Sequence, residues 1–181
     1  MSVFVVVDNA PAARIVERVL ADPRIEVVNA RERSTAMMKA RSVLLGEVEP
    51  TVLLLDSDSL EERAIMETQL EIGGYLRESS RGVPTRLVLA IPQVESVLFS
   101  DRAGLEKAMG RKITDEDFFE ARFRPKAVFY RLLDGDDGQA RALAVIEALG
   151  ESALKRMAMH PAMREIHEFA SDMKLRFRRV G

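Results

Sequence analysis

Short apolar runs, mostly β-branched, alternate with amphipathic stretches from residue 3 to about residue 92. Val3 to Val7 is such a run and stops at Asp8-Asn9, after which Pro11 suits the first position of a helix whose Ile15, Val16, Val19 and Leu20 recur at helical spacing. Residues 25–28 predict a second strand. Ser34 can cap the next helix, with Met37, Met38, Leu44 and Leu45 facing inward and Gly46 ending it. Residues 52–55 predict a third strand and 60–76 a long helix with Ile65, Ile72, Tyr75 and Leu76 inward, broken at Ser79, Ser80, Gly82 and Pro84. Residues 86–91 predict a fourth strand, which Pro92 stops. Such alternation predicts βαβ units and a parallel sheet.

Beyond residue 94 the strand signal is gone. Helical patterns cover 94–99, 105–109, 115–123, 126–133, 139–149, 151–157 and 161–177, with Thr114 and Asp117 forming a capping box and Pro125 and Pro161 at helix starts. The expected fold is therefore α/β: a short, mostly parallel four-stranded sheet flanked by helices, with a helical C-terminal half. The division is a core over 1–101 and a helical extension over 102–181 packed on it. Asp-Gly-Asp-Asp-Gly at 134–138 reads as an exposed turn, because an EF-hand loop needs further ligands and a twelfth-position Glu.

The chemistry concentrates where strands end. Val52-Leu53-Leu54-Leu55 runs into Asp56-Ser57-Asp58-Ser59, and a buried parallel strand delivers its last residues to the edge where α/β folds bind ligands. On an extended backbone Asp56 and Asp58 share a side. Ser57 or Ser59 can alternatively serve as a helix N-cap. Strands one and three become neighbours in right-handed topologies, with a spacing of about 4.8 Å, so Asp8, Asp56 and Asp58 can converge on a hard divalent cation. Glu95, just past the fourth strand, is a further ligand or base, or simply an acid in a helical first turn.

Composition narrows the alternatives. The 181 residues contain no cysteine, which removes disulfides, thiol catalysis and cysteine zinc sites. His160 and His167 lack the spacing of a zinc site and read as surface or packing residues. The N-terminal residues carry no basic leader and no run approaches the roughly 18 apolar residues of a membrane span, so a cytoplasmic chain without membrane contact is expected. Nine methionines suit packing. A net charge of −2 gives no general attraction to nucleic acid, so binding needs a local basic face. Arg122, Arg124, Lys126 and Arg131 cluster around one proline, and Lys174, Arg176, Arg178 and Arg179 surround Phe177; either group supplies phosphate contacts or a solvated helix face.

At these residues the chain resembles the TOPRIM (topoisomerase-primase) family, above all the small TOPRIM-like proteins related to the nuclease half of the overcoming-lysogenization-defect proteins. Val5-Val6-Val7-Asp8-Asn9 stands where that family has glutamate then glycine, Leu55-Asp56-Ser57-Asp58 matches its Asp-x-Asp, and Ile91-Pro92-Gln93-Val94-Glu95 resembles the subgroup's proline-x-x-glutamate helix start. Arg124-Pro125-Lys126 and the run 154–169 resemble its helical tail. The resemblance implies a Mg²⁺- or Mn²⁺-dependent nuclease or phosphoryl-transfer protein. Its metal ligands would be Asp8, Asp56 and Asp58, Asp8 and Glu95 would be catalytic, and Arg124 and Lys126 would contact DNA or RNA. It also implies a separate ATPase or defence-system partner and admits a homo-oligomer.

Asp8 is one methylene shorter than glutamate, so its carboxyl lies about 1.5 Å further from a substrate. A misplacement of about 1 Å can cost about 100-fold, so the resemblance also admits a member that binds metal without catalysis. A rival resemblance is to receiver domains, signalling modules without enzymatic activity, in which Asp56 would accept a phosphoryl group. That pattern holds through residue 56. It then lacks a Ser or Thr at the end of the fourth strand and a Lys on a fifth.

Overall fold

A computed structural model describes residues 2–134 and 137–178, with side chains described as far as residue 174. Strands β1 (Val3–Val7), β2 (Ile25–Asn29), β3 (Thr51–Asp56) and β4 (Thr85–Ala90) form one sheet in the order β2-β1-β3-β4, with every pairing parallel. Val5 pairs with Val27 on one side and Val52 on the other, and Asp56 stands opposite Ala90. The two inner strands, β1 and β3, are buried along their whole length, which is why their sequences run apolar without alternation.

Side chains alternate across the sheet, so each strand feeds two cores. Val3, Val5, Val7, Val52, Leu54, Val88 and Ala90 join the larger core with helix α1 (Ala10–Leu20) and the C-terminal helices. Val6, Leu53, Leu55 and Leu89 join the smaller one with α2 (Arg33–Gly46) and α3 (Glu62–Ser80). Full burial of each large aliphatic side chain contributes about 1.5–3 kcal/mol. The layering is α/β/α.

Helices α1, α2 and α3 refine the expectations in instructive ways. Helix α1 starts at Ala10 because Asn9 caps it, its side chain accepting from the Ala12 N–H at 2.8 Å. Ser34 does not cap α2: the N-cap is Glu32, whose carboxylate accepts from the hydroxyls of Ser34 and Thr35. The buried face of α2 is Ala36, Ala40, Val43 and Leu44, while Met38 and Leu45 point outward. Adjacent residues lie about 100° apart on a helix, so the pairs Met37-Met38 and Leu44-Leu45 cannot both face inward. Helix α3 begins at Glu62 and continues through Ser79 and Ser80, whose hydroxyls donate back to the carbonyls of Tyr75 and Arg77 and so stay compatible with the helix.

After β4 the chain forms a 3-10 segment, Val94–Ser100, then α4 (Arg102–Met109), α5 (Asp115–Glu120), α6 (Pro125–Leu133), α7 (Gly138–Glu147), α8 (Glu151–Met157) and α9 (Pro161–Arg178). Thr114 caps α5 as its spacing predicts, accepting from the Asp117 N–H at 3.0 Å. Helix α5 ends at Glu120 instead of running to Phe123, because residues 121–123 form a turn before Pro125 opens α6. One cluster of buried side chains runs from Val5 through Leu98 and Phe129 to Ile166, so the helical half and the sheet share a core. The expected turn at Asp134–Gly138 falls partly outside the described residues, at 135–136, and so do the side chains of Arg176, Phe177, Arg178 and Arg179. No described helix is long and apolar enough to cross a membrane.

Candidate functional site

Asp56 is the last residue of β3 and, by alternation, shares the side of Val52 and Leu54. That side faces the 3-10 segment, which carries Glu95. Asp56 is 6 % exposed and Glu95 is not exposed at all. The segment is tied to Asp56 directly, because the Val94 N–H donates to Asp56 Oδ1 at 2.8 Å. One carboxylate oxygen of Asp56 thus receives a backbone donor. Glu95 has neither oxygen satisfied.

This pair carries strained electrostatics. Burial, reinforced by the negative charge of Glu95, pushes the Asp56 carboxyl up to about 7; the Val94 N–H opposes the shift, while Asp8 and Asp58 add repulsion. Burial likewise raises Glu95, offset in part by its own amide and by the Lys126 charge, and the amide does not reach hydrogen-bonding geometry. An unpaired buried carboxylate costs several kcal/mol, so a site of this kind takes up a proton or a cation. Asp101, the other buried acid among the described residues, and the partly exposed Asp22 each have a cation. Asp101 receives Arg156 at 2.6 Å, and Asp22 is held by Arg24.

Two further acids lie on the rim. Asp8 follows β1 and is partly buried, accepting from the Asn9 side chain at 2.8 Å. Asn9 has φ of −153°, ordinary extended backbone, so no glycine is required where the TOPRIM pattern has one. Asp58 does not follow the strand alternation expected for Asp-x-Asp. Strand β3 ends at Asp56, and Asp58 has φ of 52°, a left-handed conformation that Asp tolerates better than most residues. Its turn is fixed by Ser57 N–H donating to the Ala90 carbonyl and Asp58 N–H to the Pro92 carbonyl, both at 2.9 Å. Ser57 and Ser59 stabilise this turn and do not cap α3, whose N-cap is Glu61.

Arg33 and Gln93 complete the rim, and neither stands out in the sequence. The Arg33 guanidinium donates to the Asp56 carbonyl at 3.0 Å and reaches Asp58 Oδ2 at 3.5 Å. Gln93 donates to Asp58 Oδ1 at 3.3 Å and accepts from the Lys126 N–H at 3.3 Å, which ties the start of α6 to the acids. A basic residue at the first turn of the helix after β2 was the available signal for Arg33, since that turn lies on the sheet's carboxyl edge. For Gln93 the signal was its place between Pro92 and Glu95.

The basic residues divide. Arg131 is engaged by Asp117 at 2.6 Å and Glu120 at 2.7 Å, so it is not free to contact phosphate as its cluster suggests. Arg124 is exposed and only loosely paired with Glu120, at 3.7 Å. Arg122 and Lys126 have no ion-pair partner among the described residues, and Lys174 is exposed. His160 bonds to Ser96 at 3.0 Å through Nε2, and its Nδ1 accepts from the Ala162 N–H at 3.3 Å. That assigns the proton to Nε2, which donates to the serine, so His160 is a structural strut and no base for Ser96. Burial holds it below the ordinary histidine range. His167 is exposed, 4.0 Å from Asp22.

Asp8, Asp56, Asp58 and Glu95 thus gather at one edge of the sheet, two buried and two on the rim. Among the described residues no three Asp, Glu, His or Cys side chains are grouped as a ready-made metal cage. The donor set is nevertheless all hard oxygen, and the unsatisfied Glu95 beside Asp56 fits the demand of a small divalent cation for charge. The chain matches no family model, no curated protein and no solved structure.

Proposed function

We propose that the chain is a TOPRIM-like, divalent-metal-dependent protein that cleaves or transfers phosphodiesters of nucleic acid at the edge formed by Asp8, Asp56, Asp58 and Glu95. The observation that carries this reading is Glu95, fully buried beside Asp56 with both carboxylate oxygens unpartnered. A fold that pairs Asp22 and Asp101 with arginines leaves this pair without one, as a site reserved for a cation would.

Asp56 and Glu95, together with Asp58 or Asp8, would hold Mg²⁺ or Mn²⁺. A bound cation of this kind supplies charge for a phosphoryl oxygen and a water of lowered pKa. The remaining work belongs to the chain. Lys126 and Arg124 attract the phosphate backbone, Arg33 and Gln93 hold Asp58 in place, and Asp8 takes the proton of the attacking water. Water adds to phosphorus as its proton passes to Asp8, one P–O bond breaks, and the departing oxygen takes a proton from solvent.

The receiver-like signalling reading has less support. A phosphoacceptor must meet its donor in solvent, whereas Asp56 is 6 % exposed and one oxygen is engaged by Val94. The described residues hold no fifth strand, and β4 ends the sheet with α3 and α9 in contact with it. The deciding experiment is Mn²⁺-dependent cleavage of labelled single-stranded and duplex DNA and RNA. Cleavage by the wild type that Asp56→Asn abolishes is the expected result; no cleavage of any substrate, or equal cleavage by the variant, overturns the reading.

A further inference from the structure

Beside the acid edge lies an aromatic surface that the cleavage reading does not use. Phe119 and Phe123 are 59 % and 51 % exposed, with ring centroids 5.5 Å apart in an edge-to-face pair. Large exposed aromatic rings are costly to leave in water, and these two are not loose. Phe118, the residue between α5's acids and Phe119, packs on Phe99 at 6.5 Å and lies under the Arg102 guanidinium at 5.2 Å, which anchors the short helix and fixes its neighbours outward. The pair is a platform held from behind.

Charge around the platform has been sorted by ion pairing. Three of the acids of α5 are occupied: Asp115 by Arg102 at 2.6 Å, and Asp117 and Glu120 by Arg131. Glu116 alone on that helix has no cation among the described residues. Arg122, Arg124 and Lys126, which follow immediately, are left with at most one loose partner. The surface is therefore apolar and aromatic with a positive margin, although the chain as a whole carries −2.

Pro92 and Gln93 link a groove beside α5 to the acid edge. The groove, of about 240 Å³, runs between Ile91, Pro92, Ser96, Phe118 and Arg122. Pro92 accepts from the Asp58 N–H, and Gln93 joins Asp58 to Lys126. Arg122 lines the groove and belongs to the same basic run as Arg124 and Lys126, which follows Phe119 and brackets Phe123 in the chain.

We infer that Phe119 and Phe123 stack the unpaired bases of a single-stranded nucleic acid and lead it along the Pro92–Arg122 groove to the acid edge. This deepens the cleavage reading and rests on it for the identity of the ligand as the cut strand. Stacked bases inside a duplex present no free faces to a protein ring, whereas every unpaired base does, whatever its identity. Cations beside the rings fit the backbone that such bases hang from. The substrate class is a single strand, a flap or an unpaired end, with little sequence preference.

The test is fluorescence anisotropy of a labelled oligothymidylate and of a matching duplex, with the full chain in EDTA so that no metal contributes. The single strand binds more tightly than the duplex. Phe119→Ala and Phe123→Ala each weaken single-strand binding at least about fivefold, Phe→Leu at either position weakens it too, and Phe→Trp retains it. Arg124→Ala weakens both ligands and lowers the salt slope per lost phosphate contact by about 0.7 for the single strand and about 0.9 for the duplex. Equal binding of strand and duplex, no binding of either, or unchanged binding by the two alanine variants overturns the inference. Phenylalanine-dependent capture by phosphatidylserine vesicles without oligonucleotide binding overturns it as well, in favour of a membrane surface. The two readings fail separately: Mn²⁺-dependent cleavage that survives both alanine variants sinks the platform alone, and phenylalanine-dependent binding without cleavage upholds the platform and sinks the acid site.

Discussion

Two pairs of carboxylates share one edge of the sheet and live under opposite conditions. Asp56 and Glu95 are buried, face each other's charge and have one backbone donor between them. Asp8 and Asp58 stand on the rim, each with side-chain donors within reach: Asn9 for the first, Arg33 and Gln93 for the second. Proximity in sequence would have grouped Asp56 with Asp58. Environment groups Asp56 with Glu95 instead, and it is the buried pair that needs a proton or a cation.

The contrast predicts first a fall of stability with rising pH to which the buried pair contributes, alongside Glu165, whose carboxyl burial also raises, and against His160, which burial lowers. Because the folded-state value of Asp56 is raised from 3.8 to about 7, the folded protein keeps a proton that the unfolded chain loses. Its contribution is complete below about pH 4 and is lost as pH rises through about 7. At 1.36 kcal/mol per pH unit, that amounts to at most about 4 kcal/mol. Urea titrations across this range, in EDTA, should show stability falling with pH in the wild type and a flatter profile in Asp56→Asn. An Asp8→Asn variant should keep the wild-type slope; a matching loss there would erase the distinction between the pairs.

Activity comes next in size. Glu95→Gln should lower Mn²⁺-dependent cleavage by more than about 100-fold, the loss that a misplacement of about 1 Å can produce on its own. Asp58→Asn should cost about tenfold, within the range for groups that orient a site rather than hold its centre. Single-turnover rates compare the two, and a larger loss at Asp58 than at Glu95 would invert the account. The smallest effect belongs to Gln93→Ala. It removes hydrogen bonds to Asp58 and from Lys126 and should destabilise the fold by about 1 kcal/mol, read as a shift in urea midpoint.

Much of the frame was legible in the chain because buried parallel strands write themselves as apolar runs. Val3 to Val7 and the run ending at Asp56 are strands for the reason the pattern suggests, and both end on the edge that gathers the acids. What escaped the sequence depends on contacts made late in the fold. The Asp58 turn is set by the Ala90 and Pro92 carbonyls of a neighbouring strand end, so strand alternation could not describe it. The inner face of α2 rests on Ala36 and Ala40, which a search for large apolar residues passes over. Ser79 and Ser80 read as helix breakers, yet their hydroxyls found carbonyls one turn back. Arg33 comes from a different βα turn, and only the strand order brings it to Asp58. Phe119 and Phe123 lay in a stretch read as one helix, where a turn after Glu120 places both rings outside.

The most direct measurement is calorimetric titration of Mn²⁺ into the full chain above pH 7, where the buried pair is ready to give up its proton. One saturable site, lost in Asp56→Asn and in Glu95→Gln but retained with weaker affinity in Asp8→Asn, is the expected result. No heat of binding in the wild type, or a site indifferent to both buried acids, would contradict the reading of this edge as a cation site.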